Sequence, residues 1–217
     1  SSIVFLSAIA VIYASLGTVN MAQIAERMDE IAPNVQMMLH IMLLVGFAVK
    51  AAVFPLSFWL PDSYPTAPAP VTAVFAGLLT KVGVYAIIRT ETQLFAGSDL
   101  NLVLAIVAIA TMVIGILGAI AQAELKRILS FTLVSHVGYL IFGISIGTAE
   151  AIGATAHYVV HHITVQTTLF LAVGLIERFA GSTSTVRVKG LLKAGPLIAV
   201  LYFIPSPHPA GIPPSSG

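Results

Sequence analysis

Long apolar runs separated by short polar connectors make up most of the chain. Each run is close to the length of about 20 residues that an α-helix needs to cross a bilayer. The pattern predicts an all-α protein, a transmembrane helix bundle with about six complete spans and the start of a seventh within residues 1–217. The predicted spans are Ile3–Val19, Val35–Phe54, Val71–Arg89, Leu100–Ala121, Ile128–Ile146 and Ile152–Phe179, followed by the shorter run Pro196–Ile204.

One connector is predicted to have a structure of its own. The segment Asn20–Asn34 is polar, but its apolar residues Ile24, Met28 and Ile31 have helical spacing. This pattern is typical of a short amphipathic helix that lies at the membrane surface.

Prolines interrupt the second span and the last apolar run. Pro55 and Pro61 follow the second span closely, and proline lacks the N–H that a helix interior needs. We predict a broken helix there and treat 50–89 as a unit of a broken helix and a lysine-bearing helix. The segment 196–217 also runs into prolines and is predicted to be a truncated second broken helix. Because the breaks are five spans apart, the second unit would be inverted relative to the first, as in many secondary transporters.

The composition supports a membrane protein and excludes several classes of function. Of 217 residues, 58% are hydrophobic and 9% charged, with a mean hydropathy of +0.98, whereas soluble domains carry about a quarter charged residues. The sequence has no cysteine, which excludes disulfides, cysteine nucleophiles and thiolate-bound iron–sulfur clusters in it. A net charge of +1 gives no indication of nucleic-acid binding. We find no nucleotide-binding loop, nucleophile triad or metal motif.

Basic residues in the connections predict the orientation of the spans. The odd-numbered connections hold only Arg27 and Arg89, whereas the even-numbered ones hold six lysines and arginines. The positive-inside rule therefore places the even connections, and the break at Pro55, towards the cytoplasm.

Two lysines lie inside apolar runs, Lys50 in the second span and Lys81 near the middle of the third. A charged side chain at this depth costs about 3 kcal/mol, so it persists where it lines a polar cavity or has a partner. Desolvation disfavours the charged form of a lysine, which lets such a group release and rebind a proton. The alternative is that the ammonium group reaches the headgroups. Gly77, Lys81 and Tyr85 are spaced four residues apart and are predicted to share one helix face.

Histidines and hydroxyl residues form polar stripes on the fifth and sixth spans. The stripes consist of Thr132, His136 and Tyr139 on the fifth, and of His157, His161, Thr164 and Thr168 on the sixth. His162 aligns with Gln166, about 100° further round the same helix. Histidine titrates near physiological pH, so such a column can pass protons. Two alternatives stay open, namely interhelical hydrogen bonds that hold the bundle together and haem or metal ligation.

The remaining charged residues are explained by solvated connections and by topology. They are Asp62, Glu91, Glu124, Lys126 and Arg127. His40 has no preferred role at this point. Gly115 and Gly118 are predicted to be sites of close helix packing.

Three stretches resemble the antiporter-like membrane subunits: FPLSFWLPDSYPTAPAPVTAVFAGLLTKVGVYAIIR, QAELKRILSFTLVSHVGYLIFGISIG and AHYVVHHITVQTTLFLAVGLIER. This family joins the Mrp-type multisubunit Na⁺/H⁺ antiporters, whose D-type branch the chain resembles most, to the proton-pumping subunits of respiratory NADH–quinone oxidoreductase. The resemblance implies a fold of two inverted five-helix repeats, with a hydrophilic axis of Lys, His and Glu along the membrane midplane. On that axis, it implies proton translocation by Lys50, Lys81, His136, His157, His161 and His162.

The resemblance also implies a function. We expect exchange of a monovalent cation such as Na⁺ for protons, in a multisubunit complex of the inner (plasma) membrane of a prokaryote. The expected partners are the other antiporter subunits, Na⁺, H⁺ and the bilayer, and no cofactor is expected. The alternative is a proton-pumping subunit of a respiratory NADH–quinone oxidoreductase or membrane-bound hydrogenase. The subunit itself is not expected to be an enzyme in either case.

The sequence departs from the family at both ends. The helices expected before Ser1 are missing, and with them the glutamate that partners the first lysine. The chain stops at Gly217, before the second broken helix supplies its own charged residue, and its tail SPHPAGIPPSSG is less apolar than expected. We therefore expect a fragment of a longer subunit that does not transport ions by itself.

Overall fold

The computed structural model describes residues 2–97 and 100–208, which form a bundle of α-helices. Ser98, Asp99 and the predicted tail from Pro209 onwards lie outside the described residues. The helices are α1 (Ser2–Leu16), α2 (Met21–Arg27), α3 (Pro33–Ala51), α4 (Trp59–Ser63), α5 (Ala69–Arg89), α6 (Asn101–Ile120), α7 (Leu125–Ile146), α8 (Ala149–Ala180), α9 (Leu191–Ala194) and α10 (Pro196–Phe203). Two 3₁₀ turns, Met28–Glu30 and Tyr64–Thr66, and a π-helical turn, Thr90–Leu94, extend α2, α4 and α5 respectively.

Five of the described helices are long and apolar enough to cross a membrane, namely α3, α5 with its π turn, α6, α7 and α8. The helices α1 and α2 meet the same criterion as a pair, with a bend of 54° between them. The prediction of an all-α transmembrane bundle is confirmed.

The first predicted span, Ile3–Val19, ends early as α1. Gly17 takes a φ of 71° and its N–H donates to Tyr13 O at 2.8 Å, which terminates the helix. Asn20 then caps α2 by accepting a hydrogen bond from Ala22 N. The short helix predicted within Asn20–Asn34 is therefore α2.

The break after the second span begins three residues before Pro55. The helix α3 ends at Ala51, Ala52 takes a left-handed conformation with φ of 60°, and the Phe54–Pro55 peptide bond is cis. Pro61, which was predicted to mark the break together with Pro55, lies instead inside α4. It is tolerated there because the first N–H groups of a helix have no intrahelical partner.

Side chains satisfy the backbone groups that the break exposes. The indole Nε1 of Trp59 donates to Val49 O at 2.9 Å, and the backbone N–H of Phe54 donates to Thr111 Oγ1 at 3.1 Å. Irregular backbone is stable at membrane depth only when protein or water supplies such partners.

Glycines allow the helices to approach one another closely. A Cβ on Gly83 would lie 2.7 Å from Ala51 N, and a Cβ on Gly115 would lie 2.5 Å from Ser135 N. The helix α5 packs against α3, α7 and α8, and α6 packs along α7. The predicted close-packing role of Gly115 is confirmed at the α6–α7 contact, where Ser135 Oγ also donates to Met112 O at 3.0 Å.

Two ion pairs join the even-numbered connections at one end of the bundle. Arg127 Nη2 lies 2.9 Å from Asp62 Oδ1, and Lys126 Nζ lies 2.7 Å from Glu177 Oε2. The first pair is solvated as expected, but Lys126 is buried, because the end of α8 covers it. Both pairs lie at the end of the bundle that carries the second and fourth connections.

Candidate functional site

Lys81 is held inside the bundle. It lies on α5 between α3, α7 and α8, and only 3% of its surface is exposed. Its Nζ donates to Ala76 O at 2.9 Å, which engages one of its three N–H donors. The lysine therefore faces protein rather than lipid.

A histidine pair and a tyrosine lie on α7 and α8, two helices that pack against the lysine-bearing helix α5. His136 Nδ1 and Tyr158 Oη form a hydrogen bond of 2.5 Å between α7 and α8. The ring centroids of His136 and His162 are 4.8 Å apart, and those of Tyr158 and His162 are 6.0 Å apart. Lys81, His136, Tyr158, His162 and Gln166 are called the central polar cluster below.

Several buried polar atoms of this cluster have no hydrogen-bond partner among the described residues. They are both ring nitrogens of His162 and Oε1 of Gln166, whose Nε2 donates to Leu129 O at 2.9 Å. Thr80 Oγ1, next to Lys81 in sequence, is also buried and has no hydrogen-bond partner among the described residues. Because most buried polar groups in proteins are hydrogen-bonded, these atoms are the polar groups of the cluster that are open to further hydrogen bonds.

The structure divides the polar stripe that was predicted on the sixth span. His157, Thr164 and Thr168 are exposed and His161 is half-buried, whereas His162 is only 2% exposed. The outer residues line a groove of about 460 Å³ that α10 borders. Both threonines donate to carbonyl groups of their own helix. The neighbouring positions 161 and 162 differ in this way because successive residues of a helix point about 100° apart.

Two other predicted site residues are less buried than Lys81. Lys50 is half-buried in the last turn of α3 and makes no ion pair within the described residues. Tyr85 is 59% exposed although Gly77 and Lys81 are buried. Two steps of four residues turn a helix about 80° away from the starting face, so Tyr85 does not share the face of Gly77 as predicted.

On α7, Thr132 and Tyr139 accompany His136. Thr132 Oγ1 is half-buried and donates to Leu129 O at 3.0 Å. The ring of Tyr139 lies 5.7 Å from that of His136, but 54% of the residue is exposed. Neither residue hydrogen-bonds to the central polar cluster.

Sequence reasoning missed two residues. Tyr158 lies four residues before His162, and this spacing could have identified it. Glu91 was read as solvated, but its side chain is 7% exposed and its Oε1 lies 2.5 Å from His40 Nε2. Glu91 follows the buried Ile87 by four residues, so helical spacing beyond the predicted end at Arg89 would have placed it inside.

Within the described ranges, no three His, Asp or Glu side chains come together in an arrangement that could hold a metal ion. The groups that the site brings together are ones that bind protons. A buried ammonium group, two imidazoles and a phenol lie within one bundle interior.

Comparisons with known proteins agree with this architecture. The family model described as "NADH:quinone oxidoreductase/Mrp antiporter, TM" matches residues 1–217. The D-type Na(+)/H(+) antiporter subunit of Alkalihalophilus pseudofirmus is 45% identical over 221 residues, and that of Bacillus subtilis is 33% identical over 220 residues. Each alignment covers 100% of this chain and 45% of the relative. The chain thus spans less than half the length of these relatives.

Two solved structures share the fold. The Mrp complex from Dietzia sp. DQ12-45-1b has a chain that superposes with a TM-score of 0.93 at 38% identity, over 98% of this chain and 40% of that one. A chain of the membrane-bound sulfane sulfur reductase, an archaeal respiratory membrane complex, gives a TM-score of 0.91 at 32% identity, over 98% and 44%. This chain is a multi-pass membrane protein that belongs to the NADH:quinone oxidoreductase/Mrp antiporter transmembrane family.

Proposed function

We propose that the chain is part of a subunit of a multisubunit Na⁺/H⁺ antiporter in the plasma membrane of a prokaryote. Its relatives named as antiporter subunits favour a transporter component over an enzyme. The other subunits of such a complex are the proposed partners, and Na⁺ and H⁺ are the proposed transported ions. In this proposal the central polar cluster carries protons, with Lys50 at the helix break next to it.

The observation that carries the proposal is the burial of Lys81 beside two histidines. A lysine with 3% exposure on a membrane-spanning helix is costly unless it binds and releases a proton or has polar partners. Lys81 Nζ has one such partner, Ala76 O, and the buried ring nitrogens of His162, which make no hydrogen bond to a described residue, are available to bind a proton. These groups form a set that can hold one proton at several positions.

Charge is the proposed means of coupling along the path. At a separation of about 10 Å and an effective dielectric constant near 20, two unit charges interact by roughly 1.7 kcal/mol. This energy changes a proton-binding equilibrium by more than about tenfold. A proton that arrives on Lys81 therefore disfavours a second proton on His136 or His162, which favours movement of protons one at a time.

The test is Lys81→Ala in the full-length subunit within its assembled complex. Na⁺-dependent proton flux in everted membrane vesicles, measured per assembled complex, should fall by about a hundredfold, as expected for the loss of one acid–base group. The matched control is Lys193→Ala, because Lys193 is exposed on α9. Normal flux in the Lys81→Ala variant, with the control also normal, would remove Lys81 from the proton path.

A respiratory role is the second candidate, because the chain is also 32% identical to a chain of an archaeal respiratory membrane complex. The same cluster would serve, with electron transfer elsewhere in the complex as the driving force. The two functions differ in what drives the flux. A Na⁺ gradient alone should drive proton movement in vesicles if the complex is an antiporter. Proton uptake that requires an electron donor and ignores Na⁺ would favour the respiratory role.

A further inference from the structure

A second pair of titratable side chains is buried away from the central polar cluster. His40 on α3 is 2% exposed and the Glu91 side chain is 7% exposed, with 2.5 Å between His40 Nε2 and Glu91 Oε1. The ring of Phe95 stacks on His40 at a centroid distance of 4.1 Å. Phe95 belongs to a buried apolar cluster that also contains Leu39 and Leu43 of α3 and side chains of α1 and α2. Ionisable groups at such positions in membrane proteins are usually functional.

The hydrogen bond of this pair is compatible with two protonation states. A ring nitrogen and a carboxylate oxygen are both acceptors, so a separation of 2.5 Å requires a proton between them. With protons on both ring nitrogens of His40, the pair is neutral overall. When Nδ1 of His40 releases its proton, Nε2–H still donates to Glu91 and the pair carries one negative charge. The pair can thus exchange one proton while its hydrogen bond is retained.

The pair lies on the same two helices as the lysines but at a different depth. Gly83 touches Ala51, so Lys81 and Lys50 are at similar levels of the antiparallel helices α5 and α3. His40 precedes Lys50 by ten residues and Glu91 follows Lys81 by ten residues. Each separation corresponds to about 15 Å along the helix, in the direction of the odd-numbered connections.

Apolar residues separate the two levels. Leu43, Val84 and Ile87 lie between them and are at most 4% exposed. The His40–Glu91 pair and the two lysines therefore influence each other electrostatically rather than by contact. At about 15 Å and an effective dielectric constant near 20, one unit charge changes a proton-binding equilibrium by about sixfold.

The backbone around Glu91 is also unusual. Glu91 lies in the π-helical turn Thr90–Leu94, and such turns occur frequently at functional sites. The other charged side chains of the elements packed here are not buried. Arg89 is half-buried and lines a cavity of about 380 Å³. The exposed ones on α2 and the turn after it are Glu26, Arg27, Asp29 and Glu30.

We propose that His40 and Glu91 form a second proton-binding site, on the side of the odd-numbered connections, that exchanges one proton through His40 Nδ1 during each transport cycle. Its link to transport rests on the proposed function above. Its charge, which alternates between zero and minus one, acts on the lysine level of α3 and α5 and is changed by it in turn.

The test compares a hydrogen-bonded pair that binds protons with one that does not. The double variant His40→Gln/Glu91→Gln in the full-length subunit retains a side-chain hydrogen bond, but neither side chain can take up or release a proton. Antiport per assembled complex should fall by at least about tenfold, and its pH profile should lose one titration step. The single variant Glu91→Asp keeps a carboxylate next to His40 and should therefore transport faster than the double variant. The matched control is Glu30→Gln, which changes an exposed carboxylate near the same end.

Normal antiport in the double variant would overturn the proposal and leave the pair as a link between α3 and the π turn. If the double variant fails to assemble, nitrogen NMR of His40 in the wild-type complex tests the proposal instead. The Nδ1 signal should titrate over the pH range in which antiport changes, and a constant signal would contradict the proposal. Loss of flux in Lys81→Ala together with normal flux in the double variant would reject only this inference, whereas normal flux in Lys81→Ala would instead remove Lys81 from the proposed proton path.

Discussion

Replacing Tyr158 by Phe removes a single hydroxyl group from the central polar cluster. That hydroxyl lies 2.5 Å from Nδ1 of His136, a residue that is only 5% exposed. Because water from the bulk has little access to His136, its ring nitrogen would lose its partner without replacement. A tyrosine hydroxyl can donate or accept, so Tyr158 can hydrogen-bond to Nδ1 of His136 whether or not that nitrogen carries a proton.

The size of the effect follows from the burial of the ring. A buried polar group that loses its hydrogen-bond partner costs roughly 2 kcal/mol. If His136 passes protons, this cost adds to the barrier and slows transport by about thirtyfold. The side chain of phenylalanine otherwise fills the same volume, so the packing between α7 and α8 should be retained.

The assay is Na⁺-dependent proton flux in everted vesicles, with the amount of assembled complex measured in the same membranes. Tyr139→Phe is the matched control, because Tyr139 also lies near the His136 ring, at 5.7 Å, but is 54% exposed and has no hydrogen bond to it. We expect Tyr139→Phe to transport at the wild-type rate. The reasoning is refuted if Tyr158→Phe keeps its rate within about twofold, or if both variants lose the same amount.

Two further predictions concern helix packing and the divided histidine stripe. Gly83→Ala should destabilise the subunit by about 1–3 kcal/mol, because the new Cβ would meet Ala51 N at 2.7 Å, and thermal unfolding of the purified complex measures this. Gly153→Ala is its control, since nothing lies within 4 Å of that Cβ, and an equal loss there would contradict the packing explanation. His162→Gln should reduce antiport much more than His157→Gln, because His162 is buried and His157 is exposed, and equal losses would disprove this assignment.

The sequence alone was sufficient to predict most of the spans and the burial of Lys81. Apolar runs of about 20 residues are a strong signal for membrane helices, and a lysine in the middle of one has few stable alternatives to burial in protein. The break near Pro55 was also predictable from the missing N–H of proline. Its exact start at Ala52 was not, because the bonds from Trp59 and to Thr111 come from residues distant in sequence.

The faces of α8 and the end of α5 could not be predicted in the same way. Apolar residues lie all around α8, so periodicity does not reveal that His162 is inside and His161 is near the groove. Glu91 lies beyond Arg89, where a charged residue normally ends a span, so its burial depends on α5 continuing past Arg89 into the π turn, where Glu91 meets His40. In both cases the neighbouring helix decides the environment of the side chain.

The small residues of α5 account for the position of the central polar cluster. Lipid offers little hydrophobic driving force for helix association, so close backbone contact at small residues contributes much of the packing energy in membranes. Gly83 brings α5 against α3 at Ala51, and Gly77 brings it against α8 at Thr167. Lys81 lies between these two glycines and is therefore held where the surrounding helices exclude lipid. It follows that the same contacts which stabilise the bundle also keep the ammonium group of Lys81 beside the histidines of α7 and α8.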